Sequence, residues 1–301
     1  MIKVSIFEHV MLPVLLIFFC GFIFQKIFKL DIKPLSTVAI YLLLPFLVFQ
    51  TFYKESIDSN FFYVILTSSL LLLMLILLGI IISKVGKFGR NQLDALLLSI
   101  VFPNSGNYGI PIVMFAFGNK GLLYGMPIMV FHNILMGTIG VYIAADNQGG
   151  IKTAGKMIFK QPMNYVILPA ILLAKYHIKI PSNFMKSINL VGNTTIPVIM
   201  LILGMQLAEV HLSQVNWYQV NLAWLLRLVV SPLLAYLLCL LLPIDPIMKM
   251  VIITMAAMPS AANTTLYAIQ FNAEPQFVST CTLVSTITSV ITLTVILNLL
   301  I

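Results

Sequence analysis

The sequence predicts an all-α polytopic membrane protein, and three observations carry that prediction. Sixty per cent of the 301 residues are hydrophobic and only 9% are charged, whereas soluble domains carry roughly 25% charged residues. Mean hydropathy is +1.04. Apolar runs near the ~20 residues that cross a ~30 Å hydrocarbon core fill most of the chain. Residues 70–82 are solidly apolar, without the ten-residue alternation of an outer-membrane barrel.

Loops read from clusters of charge, Pro, Gly and Asn give ten expected spans, at 6–24, 34–53, 61–83, 93–117, 121–144, 162–177, 187–208, 217–242, 247–272 and 276–300. The first run lacks a small-residue cleavage site and many spans follow it, so it reads as a transmembrane helix rather than a signal peptide. Basic residues mark the next connections: Lys26, Lys29 and Lys33 after span one, Lys54 after span two, and Lys84, Lys87 and Arg90 after span three. Spans four and five meet at the short linker 118–121. The longest polar connection, 145–161, carries Lys152, Lys156 and Lys160 and lies mid-chain. The expected domains are therefore a first five-helix repeat (1–146), a central loop (147–161) and a second five-helix repeat (162–301). An odd number of spans per half makes the second half enter the membrane the other way, as an inverted repeat.

Two spans are interrupted at matching places. Span four contains Pro103-Asn104-Ser105-Gly106-Asn107-Tyr108-Gly109-Ile110-Pro111; span nine contains Pro259-Ser260-Ala261-Ala262-Asn263-Thr264. Pro103 and Pro259 lie 156 positions apart (259 − 103), as do Asn107 and Asn263 (263 − 107). Proline removes a helical donor and clashes with the preceding turn. Within a bilayer, backbone freed in this way is tolerated only where protein or a wet cavity satisfies it. Paired interruptions of this kind point to the binding site of a secondary carrier.

Charge sets the expected orientation. Across the first half and the central loop, nine Lys/Arg fall on one side (those of the first and third connections and the central loop) against Lys3, Lys54 and Lys120 on the other. Lys and Arg accumulate in cytoplasmic loops, so both termini are expected outside the cell membrane and the central loop in the cytoplasm. The same rule accounts for most of the +8 net charge, and no nucleic-acid partner is expected. Cys20, Cys239 and Cys281 lack metal-ligand spacing and read as small core residues; no metal site is expected.

With these motifs the chain resembles the auxin efflux carrier family, which includes bacterial malate and malonate carriers and shares a ten-helix fold with bile-acid sodium symporters. Three segments carry the resemblance: residues 104–111, similar to the family's broken fourth helix; Gly192-Asn193-Thr194-Thr195-Ile196-Pro197 with Leu203-Gly204-Met205-Gln206-Leu207, similar to its seventh; and 258–263, similar to its broken ninth. The resemblance implies that helices four and nine cross near mid-membrane, with substrate bound beside the crossing and a mobile transport domain moving against a scaffold.

The residues support a compatible chemistry. A helix that restarts within the membrane exposes N–H groups with partial positive charge, which favour an anion. Asn104, Ser105, Gly106, Asn107, Ser260, Asn263, Thr264 and Asn133 are the candidate substrate-binding residues, with Pro103, Pro111 and Pro259 as helix breakers. Asn amides donate to a carboxylate or offer a carbonyl to a cation. Arg227, about ten residues into span eight, reads either as a charge partner or as a snorkelling side chain. His132 is a candidate coupling residue, and Asp94 reads as interfacial. No ATP-binding glycine loop is present, no cofactor is expected, and coupling to Na+ or H+ fits a gradient-driven carrier.

The expected function is secondary active transport of a small organic anion such as a carboxylate, by alternating access, with the bilayer and a second copy of the chain as further partners. A channel or substrate sensor on the same fold is the alternative. An intramembrane hydrolase using Ser105 and His132 is a third reading, weakened because Pro103 stands where such enzymes carry a glycine. No enzymatic activity is expected.

Overall fold

In a computed structural model, residues 6–54, 60–145, 161–209 and 215–301 are described; the central loop 147–160 lies outside them. Among the described residues the chain is helical, with one isolated β-bridge. Among the described residues seven helices are long and apolar enough to cross a membrane. We number the helices α1 (Phe7–Phe28), α2 (Ile32–Lys54), α3 (Asn60–Val85), α4 (Arg90–Val101), α5 (Ser105–Ala144), α6 (Met163–Lys175), α7 (Ser182–Glu209), α8 (Trp217–Leu240), α9 (Pro246–Ala256), α10 (Ala262–Phe271) and α11 (Pro275–Leu300).

Helix ends follow local chemistry. Asp31, Asn216 and Asp245 accept backbone N–H groups at the starts of α2, α8 and α9, the usual role of short polar caps. Within α5, Gly118 has φ 62° and ψ −151°, a conformation that is essentially glycine-only. Two helices join there, at the linker the sequence placed between spans four and five. Five-residue π-helical turns interrupt α5 at Ser105–Gly109 and Met136–Gly140, and α8 at Leu226–Val230.

Packing sorts the helices into two groups. In one, α1 packs on α7, α2 on α6, and α2 on α7. Polar bonds reinforce the α2 face: Thr195 Oγ1 donates to the Leu43 carbonyl at 3.0 Å, and Gln50 Nε2 donates to Asn193 Oδ1 at 3.2 Å. In the other group, α3 packs on α4, α8 on α9, α5 on α9, and α11 on α4 and α10. A continuous apolar core joins the two groups. Large apolar side chains that remain exposed, such as Phe19, Leu73, Ile291 and Leu299, lie on apolar helices of spanning length, where lipid replaces water as solvent. Of the cysteines expected in the core, Cys239 and Cys281 are buried, whereas Cys20 is exposed, because α1 turns that face away from its neighbours.

Candidate functional site

The two proline-containing segments meet. α4 ends at Val101, Phe102 is extended at φ −102° and ψ 109°, and helix resumes at Ser105. α9 ends at Ala256, Ala261 is extended at φ −69° and ψ 133°, and helix resumes at Ala262. Between these stops Pro103 and Ser260 form an antiparallel bridge. The Asn104 N–H donates to the Pro259 carbonyl at 2.8 Å and the Ala261 N–H donates to the Phe102 carbonyl at 2.9 Å. Each interruption thus satisfies part of the other's backbone, the condition for non-helical chain in an apolar interior. Ser260 Oγ donates to the Ser99 carbonyl at 2.5 Å, and the Ser260 N–H donates to Ser285 Oγ on α11 at 3.2 Å.

Arg227 closes the ends that stop there. It lies in the π-helical turn of α8 and is 1% exposed, so it does not snorkel to the surface. Nη1 donates to the carbonyl of Ile100 at 2.7 Å and of Val101 at 3.4 Å. Nη2 donates to Ser231 Oγ at 2.9 Å and to the Ala256 carbonyl, which also accepts from Ser231 Oγ at 2.9 Å. One planar fork of donors caps the carbonyl ends of both α4 and α9. A buried cation set against two helix C-termini is also stabilised by their partial negative charge.

The ends that restart are left open. Neither Asn104, at the start of α5, nor Ala261, at the start of α10, makes a side-chain cap. The first N–H groups of a helix have no internal acceptor, and those of Gly106, Asn107, Ala262 and Asn263 have no partner among the described residues. Asn107 and Asn263 are half-buried in these first turns. Asn104 is buried, with no partner for its Nδ2. Thr264 Oγ1 turns back on the Ala261 carbonyl at 2.7 Å, and Pro111 is buried in the first turn after Ile110.

Ser105 Oγ and His132 Nδ1 are 2.6 Å apart, which joins the start of α5 to its later part. Asn133 is half-buried and one position further on. Asp94 is 3% exposed and pairs with Arg90 Nε at 3.3 Å, near the start of α4 and away from the bridge. The structure therefore gathers 103–107, 259–264, His132 and Arg227 around one bridge. The sequence reading left the task of Arg227 open; its one local signal is Ser231, a helical turn away.

The profile of the family described as "membrane transport protein" matches residues 6–297. The chain belongs to that family, the auxin efflux carrier-like one its motifs resemble. It is a multi-pass membrane transporter. It is also similar to an uncharacterized transporter of Methanocaldococcus jannaschii, with 28% identity over 292 aligned positions covering 90% of this chain and 93% of the relative.

Proposed function

We propose that the protein is a secondary carrier for a small organic anion, bound beside the Pro103–Ser260 bridge and moved by alternating access across the cell membrane. One observation carries the reading: Arg227 occupies the carbonyl ends at the bridge, while the N–H ends of α5 and α10 stay uncapped. With the negative helix ends neutralised and the positive ends free, the bridge holds a surplus of positive potential. Asn107 and Asn263 add amide donors from opposite sides.

In this reading α4 with the start of α5 forms span four, α9 with α10 forms span nine, and the chain holds ten spans as two inverted five-helix repeats. The packing supports that arrangement. Exchanging spans one to five with six to ten carries the contact of α1 with α7 onto that of α6 with α2, and the contact of α3 with α4 onto that of α8 with α9. Residues 1–146 and 162–301 are then the repeats. Both termini lie outside and the central loop lies in the cytoplasm. Coupling to H+ would use His132, and coupling to Na+ the Asn, Ser and Thr oxygens near the bridge.

The 2.6 Å contact of Ser105 with His132 is the observation that a hydrolase reading needs. Against it, the void bordered by His132, Pro103 and Arg227 measures about 10 Å³, room for a single water. Purified protein in vesicles tests the carrier reading. Asn107→Ala and Asn263→Ala should each cost ~1–3 kcal/mol of substrate affinity, one unpaired polar contact, or roughly 5- to 150-fold. Saturable counterflow separates a carrier from a channel. If both alanine variants exchange a carboxylate as the native protein does, the site lies away from the bridge.

A further inference from the structure

A cavity of about 670 Å³ lies between the two helix groups. α2 and α7 form one wall, with Gln50, Lys54 and Asn193; α5 forms the other, with Asn119 and Lys120. None of the bridge residues lines it. Met114, which does, stands seven residues beyond Asn107, about 10 Å along a helix at ~1.5 Å per residue. The cavity is therefore a separate place on the same helix.

Among the described residues its charged groups have one sign. Two ammonium groups, Lys54 and Lys120, face it from opposite walls, and none of the described residues that line it is an acid; Glu55 and Asp58, which follow Lys54 in sequence, lie outside the described residues. Asn193 is exposed on the cavity wall, its Oδ1 held by Gln50 Nε2 at 3.2 Å. That bond leaves the Asn193 Nδ2 donor without a partner among the described residues. Gln50 is 6% exposed, and its Oε1 has no partner either. Between these groups the walls are mostly apolar, chiefly aliphatic or thioether (Leu47, Met114, Leu122, Ile196 and Met200) with one aromatic ring, Phe115. Sites of 300–1,000 Å³ with apolar walls and a few convergent donors are typical of small-ligand binding.

We infer that this cavity is a second anion site, a loading vestibule that takes a monocarboxylate with an aliphatic body. Lys54 and Lys120 hold the carboxylate across the gap, the Asn193 amide donates to it, and the mainly aliphatic walls cover the remainder. Gln50 is a positioning residue that fixes the Asn193 amide. A compact dicarboxylate would set its second charge against Leu47 and Met200, where burying an unpaired charge is costly. Because the two walls belong to different helix groups, the anion is received at the seam along which alternating access would move. This assignment rests on the carrier reading only for its role in loading; binding itself does not depend on it.

The test measures equilibrium binding of 4-methylpentanoate, its neutral amide and malonate to purified protein in nanodiscs, and counterflow in vesicles. Native protein should bind 4-methylpentanoate at least tenfold more tightly than either of the others, less so as salt screens the lysines. Lys54→Gln with Lys120→Gln should cut the acid-to-amide ratio, leaving only the preference that the bridge itself supplies. The same pair should raise the KM of counterflow with little change in its maximal rate. Gln50→Leu should shrink the acid-to-amide ratio, which a role in packing alone would leave unchanged. Asn107→Ala should weaken counterflow at the bridge, and adding the lysine pair to it should lower the acid-to-amide ratio further, which separates failure at the bridge from failure of the vestibule. The assignment is overturned if the double lysine variant, melting as native, keeps the native ratio. Tighter binding of malonate, or no binding of either acid by native protein, overturns it as well.

Discussion

Arg227 is the residue on which most of the bridge converges. The Ile100 carbonyl has no other partner among the described residues, whereas the Ala256 carbonyl keeps Ser231 when the arginine is removed. Arg227→Gln should therefore lower the melting temperature, at roughly 1–3 kcal/mol for each buried carbonyl left unpaired. Asn107→Ala should melt close to native, because Asn107 is half-buried and holds no other described side chain. Thermal melts of the two variants in one detergent check this. An Arg227→Gln protein that melts as native and still loses binding would make the arginine the anion's direct partner and the dipole-centred site wrong. The sequence showed a cation inside an apolar run. It did not show the two carbonyl ends facing it, since those come from Ile100 and Ala256, 127 and 29 positions away.

Helix contacts set the next scale. α1 and α7 approach so closely that a Cβ at Gly204 would fall on the Phe18 carbonyl and one at Gly21 on the Leu201 carbonyl. Small residues allow this approach in membrane helices. Gly79, by contrast, faces the movable end of Leu97, 2.6 Å from an added Cβ. Gly204→Ala should destabilise by ~1–3 kcal/mol, as overpacking against an unyielding neighbour does. Gly79→Ala should be near neutral, because the side chain yields and alanine favours helix by up to ~1 kcal/mol. Denaturation of the two variants side by side checks the ordering; equal losses would mean that α1 and α7 part more easily than their contact implies. The sequence named Gly204 within a motif, but which glycines meet backbone is fixed only by which helices touch.

For the whole molecule the consequence is topology. An inverted repeat with both termini outside puts the central loop in the cytoplasm. A single cysteine at Lys156, in a protein whose three native cysteines are replaced, should react with an impermeant thiol reagent only in inside-out vesicles. Labelling from the outside of intact cells would reverse the orientation and with it the face to which the Lys54–Lys120 cavity opens. That cavity needs the complete fold, since its walls come from α2, α5 and α7 and no local pattern joins them.

By itself the sequence determined the helical membrane class, the family and the two Pro–Asn segments, because hydropathy, proline chemistry and short motifs act over a few neighbouring residues. The break at Gly118 was likewise legible, as part of the short linker between spans four and five, although its positive φ came only from the structure. Tertiary structure alone decided that Pro103 and Ser260 pair as a bridge, that one guanidinium caps two helices, that Ser105 meets His132, and that Lys54 and Lys120 share a cavity. The physical reason is common to all four. Each depends on hydrogen bonds or charge between groups distant in the chain, and such partners exist only after the apolar helices have packed and brought their few unpaired polar atoms together.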